Sequence, residues 1–165
     1  MILGMSVSAF TILHVVISLV GVAAGLVALV GMFSSNRVDR WTALFLAATV
    51  LTSVTGFLFP ISSFTPALAV GALSLVVLAA ALLGLYVFHL GGTWRAIYVA
   101  GAVVALYFNV FVLVVQAFQK LPFLQPLAPT QSEPPFVVTQ VAVLVIFAVL
   151  GLFAVKRFHP AAMAR

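Results

Sequence analysis

Residues 105–140 decide how this chain is organised, and they read ALYFNVFVLVVQAFQKLPFLQPLAPTQSEPPFVVTQ. A strongly apolar run carries Asn109 and Gln116, and a proline-rich segment follows it. A second apolar run then begins directly after Glu133, one of only two acidic residues in the chain. Amides and carboxylates are costly to place in or beside lipid, so their position at this boundary indicates a specific role.

The composition of the whole chain is that of an integral membrane protein. Of its 165 residues, 65% are hydrophobic and 5% are charged, whereas soluble domains carry about 25% charged residues. The sequence contains no cysteine, which excludes disulfides and thiolate chemistry. The first ten residues lack the positive region of a signal peptide, so we expect the first apolar run to remain as a helix.

The apolar runs predict the fold. A helix needs about 20 apolar residues to cross a bilayer, and five runs approach or exceed that length. Backbone groups in lipid must bond internally, which favours helices over strands. The sequence therefore predicts an all-α membrane protein, a single-domain bundle of five transmembrane helices. The expected spans are 8–33, 41–59, 66–89, 94–119 and 136–155, with an external loop over 120–135.

The positive residues predict the orientation of this bundle. Six of the seven Lys and Arg residues would share one side, namely Arg37, Arg40, Arg95, Lys156, Arg157 and Arg165. Only Lys120 falls on the other side, which would also hold the short loop 61–65. Because cytoplasmic loops are enriched in positive charge, we expect the N-terminus outside and the C-terminus in the cytoplasm. Loop 120–135 would then face the periplasm of a bacterial-type inner membrane.

The first apolar run carries a stripe of small and polar residues. His14, Ser18, Gly21 and Gly25 follow one another at spacings of four, three and four, which places them on one helical face. Small residues at this spacing let a neighbouring helix approach closely. The favoured interpretation is tight packing inside the bundle. The alternative is a seam through Gly21 and Gly25 with a second copy or a partner membrane subunit.

Polar residues of several runs are expected at one depth, in the outer half of the bundle. Serine and threonine often bond only their own helix backbone, so each of them is weak evidence alone. Together they predict an outward-facing pocket that binds a small polar or amphipathic ligand, or a partner protein. Its predicted residues are His14, Ser18, Thr52, Ser53, Ser74, Asn109, Gln116, Glu133 and Gln140. The inner half offers almost no polar lining, which argues against a conducting pore.

The sequence offers little for a catalytic or cofactor site in this pocket. The two acids lie on opposite sides, and no nucleophile motif or phosphate loop occurs. His89 belongs to the opposite end from His14, so the pair would not bracket one haem. We therefore expect no metal and no cofactor, and an enzyme is the less favoured class. A haem or quinone beside His14, in a redox accessory subunit, is one alternative, and a structural subunit of a larger complex is another. The positive charge is expected to encode orientation and not a nucleic-acid partner.

One specific contact is expected at this pocket. If loop 120–135 folds inward, Glu133 would reach His14 and form a charge-assisted hydrogen bond. The pairing would make the pocket sensitive to pH, because the imidazole titrates near neutrality.

Overall fold

The computed structural model describes residues 1–60 and 65–160. Residues 61–64 of the predicted short loop, and Arg165 of the predicted cytoplasmic side, lie outside the described residues. The regular elements of the described part are helices, and all five predicted runs form one. They are α1 (Val7–Phe33), α2 (Asp39–Gly56), α3 (Pro66–Leu82), α4 (Thr93–Lys120) and α5 (Pro134–Arg157). A π-helical turn, Leu83–Val87, extends α3, and a 3-10 turn, Gln125–Leu127, lies in the loop before α5.

The helix ends follow from local chemistry. The Ser6 hydroxyl accepts a hydrogen bond from the backbone N–H of Ala9 at 3.1 Å and caps α1. Thr65 caps α3 in the same way, and prolines occupy the first positions of α3 and α5, where no backbone N–H is needed. The second run was expected to reach Phe59, but α2 ends at Gly56 and the chain turns there.

Four of the five helices are long and apolar enough to cross a membrane: α1, α3 with its π turn, α4 and α5. The exception, α2, has 18 residues, which gives it a length of about 27 Å, slightly less than the hydrocarbon core of about 30 Å. It begins with Asp39 and Arg40, which lower its mean hydropathy. Nevertheless it runs antiparallel to α1 over its whole length. Thr55 near its end bonds His14, whereas Phe45 near its start packs at Gly25.

One half of the bundle is closely packed, and glycines permit this. A Cβ on Gly25 would lie 2.6 Å from Cδ1 of Leu106 on α4. A Cβ on Gly101 would lie 2.9 Å from the carbonyl oxygen of Val77 on α3. Alanines fill much of the remaining space, and the buried ones on α1, α3 and α4 are Ala24, Ala28, Ala81, Ala102 and Ala105. We call this region the packed half. Gly21 and Gly25 thus face α2 and α4 of their own chain, which agrees with the favoured interpretation, and their face is already occupied.

The far end of the packed half holds the positive charges, and we call it the basic end. Arg95 Nη1 donates to the carbonyl oxygens of Val155 at 2.8 Å and Phe158 at 2.7 Å, so α4 caps the C-terminus of α5. The Ser35 hydroxyl accepts from the backbone N–H of His159 at 2.9 Å. These bonds bring together the segments that carry Arg37, Arg40, Arg95, Lys156 and Arg157. Lys120 lies at the opposite end of α4.

Candidate functional site

A cavity of about 560 Å³ lies between α1, α2, α3 and α4, in the half of the bundle away from the basic end. Helices α3 and α4 touch closely at Gly101, whereas farther from the basic end Gly71 of α3 and Val112 of α4 both line the cavity. Thr65 and Lys120 lie at its mouth, where α3 begins and α4 ends. We call this space the four-helix cavity.

Most of the predicted pocket residues line this cavity. They are His14 and Ser18 of α1, Thr52 and Ser53 of α2, Ser74 of α3, and Asn109 and Gln116 of α4. Four helices therefore place polar side chains around one space. Glu133 and Gln140, the other two predicted residues, do not line it.

His14 is held at one wall of the cavity by two contacts. Its ring nitrogen Nδ1 lies 2.8 Å from the hydroxyl oxygen of Thr55 on α2. The edge of the ring packs against Phe59, with the ring centroids 5.3 Å apart. Its Nε2 atom has no hydrogen-bond partner among the residues that the structure describes. The imidazole is therefore fixed by one nitrogen and leaves the other available.

The remaining polar wall joins α1, α2 and α4. The Ser18 hydroxyl donates to the backbone carbonyl of His14 at 2.8 Å and lies 3.3 Å from the hydroxyl of Thr52. Asn109 Nδ2 donates to the hydroxyl oxygen of Thr49 at 2.9 Å, beside Gly21. This bond crosses the bundle where the cavity meets the packed half, so it forms the cavity floor.

Two residues of this network were not among the predicted site residues. Thr49 and Thr55 position Asn109 and His14 from the neighbouring helix. The available signal was the spacing of hydroxyl residues along α2, where Thr49 precedes Thr52 by three positions. That spacing gives the shared face but not the partner, because the partner depends on how α2 is rotated against α1 and α4.

The expected contact between Glu133 and His14 is not formed, and this part of the prediction was wrong. The Glu133 carboxylate accepts from the backbone N–H of Thr130 at 3.1 Å, from the Thr130 hydroxyl at 2.8 Å and from the backbone N–H of Ser132 at 3.1 Å. Partial desolvation raises the pKa of Glu133, but these hydrogen bonds outweigh it and leave the pKa below its usual value. Donors of its own loop satisfy the carboxylate, so it does not turn inward.

The loop instead follows the end of α4. Gln131 Nε2 donates to the backbone carbonyl of Val115 at 3.2 Å, and its Oε1 accepts from Gln119. Gln140 on α5 also turns towards α4, where its Nε2 donates to the carbonyl oxygen of Phe111 at 3.2 Å. Its buried Oε1 has no partner in the described part of the chain. Helix α5 thus packs on the outside of α4, and four helices share the polar zone that was predicted for five.

The described residues hold no group of three His, Asp or Glu side chains that could bind a metal ion. His89 follows the π turn of α3, and His159 bonds Ser35, so both lie at the basic end and far from His14. Comparison of the chain with protein-family models, with curated proteins and with solved structures gave no match in any of the three. The function is therefore inferred from the geometry of the four-helix cavity.

Proposed function

We propose that this chain is a bacterial-type inner-membrane protein that crosses the bilayer five times and binds a small amphipathic ligand in the four-helix cavity. Its N-terminus and loop 120–135 lie outside, and its basic end lies in the cytoplasm. The orientation is supported by five described positive residues at one end and only Lys120 at the other. The fifth crossing is supported by the antiparallel course of α2 along α1.

The observation that carries the ligand-binding proposal is the convergence of polar residues from four helices on one cavity of about 560 Å³. Small-molecule sites commonly measure about 300–1,000 Å³, with mostly apolar walls and a few placed polar groups. Here the apolar wall includes Val15, Leu19 and Leu113, which keep exposed fractions of 45%, 47% and 39%. The cavity is therefore a cleft that is accessible from outside the bundle, and an amphipathic molecule matches both kinds of wall.

The packed half limits what else the cavity can do. Below Asn109 the helices meet through Gly25, Gly101 and buried alanines, so the described residues form no polar path from the cavity floor to the basic end. Stepwise conduction of ions needs polar or charged lining along the whole route. Binding at one face of the membrane is consequently favoured over transport through the protein.

A redox accessory subunit is a second candidate, favoured by the state of His14. An imidazole oriented through Nδ1, with Nε2 available, is the usual arrangement of a histidine ligand. A stoichiometric haem absorbance band in the purified protein, lost in His14→Ala, would favour this candidate over the first.

Photolabelling tests the ligand-binding proposal directly. The probe is a dodecyl chain with a photoactivatable diazirine and a terminal hydroxyl, added to the protein in nanodiscs. Crosslinks mapped by mass spectrometry should concentrate on the cavity residues of α1 and α4. Val112→Trp, which fills the cavity, should reduce this labelling at least about fivefold, the effect expected of steric exclusion from a small site.

Val104→Trp is the matched control, since Val104 lies on the same helix, is exposed and does not line the cavity. It should leave the cavity labelling unchanged. Uniform labelling of the outer apolar surface, equal in both variants, would show that the cavity does not bind the probe.

A further inference from the structure

We infer that the four-helix cavity selects amphipathic molecules that carry a hydrogen-bond donor, such as an alcohol or a phenol. This inference deepens the proposed function and rests on it. The evidence is the direction of the hydrogen bonds on the α1 wall of the cavity, which consume its donors and leave acceptors.

His14 provides the first acceptor. The Thr55 hydroxyl oxygen lies 2.6 Å from the carbonyl oxygen of Leu51, and a carbonyl cannot donate, so the single Thr55 hydrogen must lie in this contact. Thr55 can then only accept from His14, whose Nδ1 lies 2.8 Å away. Nδ1 therefore carries the proton of the neutral imidazole. Nε2 is left with a lone pair and no hydrogen, which makes it an acceptor.

Ser18 provides a second acceptor, whereas Asn109 offers both kinds of group. The Ser18 hydrogen is directed at the backbone carbonyl of His14, at 2.8 Å, so the oxygen offers its lone pairs. Asn109 directs one amide N–H at Thr49, at 2.9 Å, and its second N–H and its carbonyl oxygen have no partner within residues 1–60 and 65–160, so it can donate to a ligand or accept from one. The cavity thus presents fixed acceptors on the α1 wall.

The other polar groups of the cavity do not change this preference for a ligand that donates a hydrogen bond. The hydroxyls of Thr52, Ser53 and Ser74 can rotate to donate or accept, and the Asn109 amide can do either, so these groups do not discriminate between ligands. The donors Gln116 and Lys120 are exposed near the mouth of the cavity. No carboxylate lines the described part of the cavity, so a cationic amine finds no counter-ion there. A neutral hydroxyl is the head group that matches the acceptors.

The test compares the hydroxyl-bearing diazirine probe with its methyl ether, which has the same chain and accepts hydrogen bonds but cannot donate one. We expect the alcohol to label the cavity about tenfold more strongly at equal concentration, as for a site left with an unpaired buried acceptor. Equal labelling by both probes would overturn the donor preference while leaving the proposed function intact. Absence of cavity labelling by either probe would refute the proposed function itself.

Substitutions at His14 separate its two ring nitrogens. Asparagine places its amide near the position of Nδ1, whereas glutamine reaches the position of Nε2. His14→Asn should therefore keep the bond to Thr55 and lose most of the preference for the alcohol, and His14→Gln should retain more of it. The inference fails if His14→Asn discriminates between the probes as well as the native protein does.

The tautomer can also be measured without a ligand. Nitrogen-15 NMR of the imidazole rings, with the His14 signals identified by their loss in His14→Asn, should show a protonated Nδ1 and an unprotonated Nε2. Thr55→Val removes the acceptor that fixes this state and should move the proton towards Nε2, with a matching loss of the alcohol preference. A protonated Nε2 in the neutral imidazole of the native protein would contradict the inference.

Discussion

Gly101→Ala is the substitution that most directly tests the packed half. The new Cβ would lie 2.9 Å from the carbonyl oxygen of Val77 and 3.2 Å from the Cβ of Ala81. Both neighbours belong to the body of α3 and not to the end of a flexible side chain. The two helices must therefore move apart, and forced overpacking of this kind costs about 1–3 kcal/mol.

Gly21→Ala is the matched control. Its Cβ would meet Ala48, Thr49 and Asn109 at 3.4, 3.5 and 3.6 Å, which are ordinary contacts. Both substitutions replace a helical glycine by alanine, and the gain in helix propensity, about 1 kcal/mol, is shared. The difference between the two variants therefore isolates the packing cost, and Gly101→Ala should be less stable than Gly21→Ala by about 1–3 kcal/mol.

Reversible unfolding with SDS in mixed micelles, followed by circular dichroism, measures this difference. The native protein and the two variants are titrated side by side, and their free energies of unfolding are extrapolated to zero SDS. If the two variants agree within about 0.5 kcal/mol, the usual error for such differences, the close approach of α3 and α4 at Gly101 is refuted.

The remaining predictions concern other parts of the molecule. Because the chain has no native cysteine, single cysteines can map topology: one at Leu127 should react with an impermeant thiol reagent from outside and one at Arg40 should not, and the reverse pattern would invert the orientation. Arg95→Gln should lower the free energy of unfolding by about 1.5–3 kcal/mol, since it removes charged hydrogen bonds to two carbonyls, and an unchanged SDS midpoint would contradict that role. Reconstituted protein should give no steady ion current in planar bilayers, and a current above that of protein-free bilayers would show that the packed half is open. The lowered pKa of Glu133 means that its hydrogen bonds persist above the usual glutamate pKa and are lost as pH falls through the lowered value; the protection factor of the Thr130 amide, which is its exchange rate relative to the intrinsic rate at the same pH, should then fall on acidification in the native protein, and a Glu133→Gln variant should not show this pH dependence.

The helices were predictable because their causes are local. Apolar runs, the capping residues and the prolines before α3 and α5 act within a few residues, and each predicted run contains a helix. By length and composition α2 falls short of a membrane span, because its polar first turn shortens the apolar part. The predicted outer polar zone depended on helical spacing and depth, and these placed His14, Ser18 and Asn109 at one cavity.

The predictions for Glu133 and Gln140 were wrong because each side chain could bond to more than one partner. The spacing of residues along the sequence does not say which partner is chosen. The Glu133 carboxylate could accept hydrogen bonds either from the distant imidazole of His14 or from donors in its own loop. The loop donors bond to it because this costs less conformational entropy than bringing the loop to the imidazole. Gln140 was expected to face the cavity, but α5 is rotated so that this amide meets the backbone of Phe111. The rotation of α5 depends on packing against α4, and its sequence is apolar on nearly every face.

The π turn at the end of α3 makes this helix sensitive to changes in length. The turn holds one more residue than an α-helical turn would, and its bond from Phe88 N–H to the Leu83 carbonyl is 2.9 Å long. Deletion of a single residue there would restore regular helix but rotate Phe88 by about 100° around the axis. Phe88 would leave its stack on Trp94, where the ring centroids are 3.9 Å apart. Insertions and deletions should therefore be far less tolerated here than in loop 120–135.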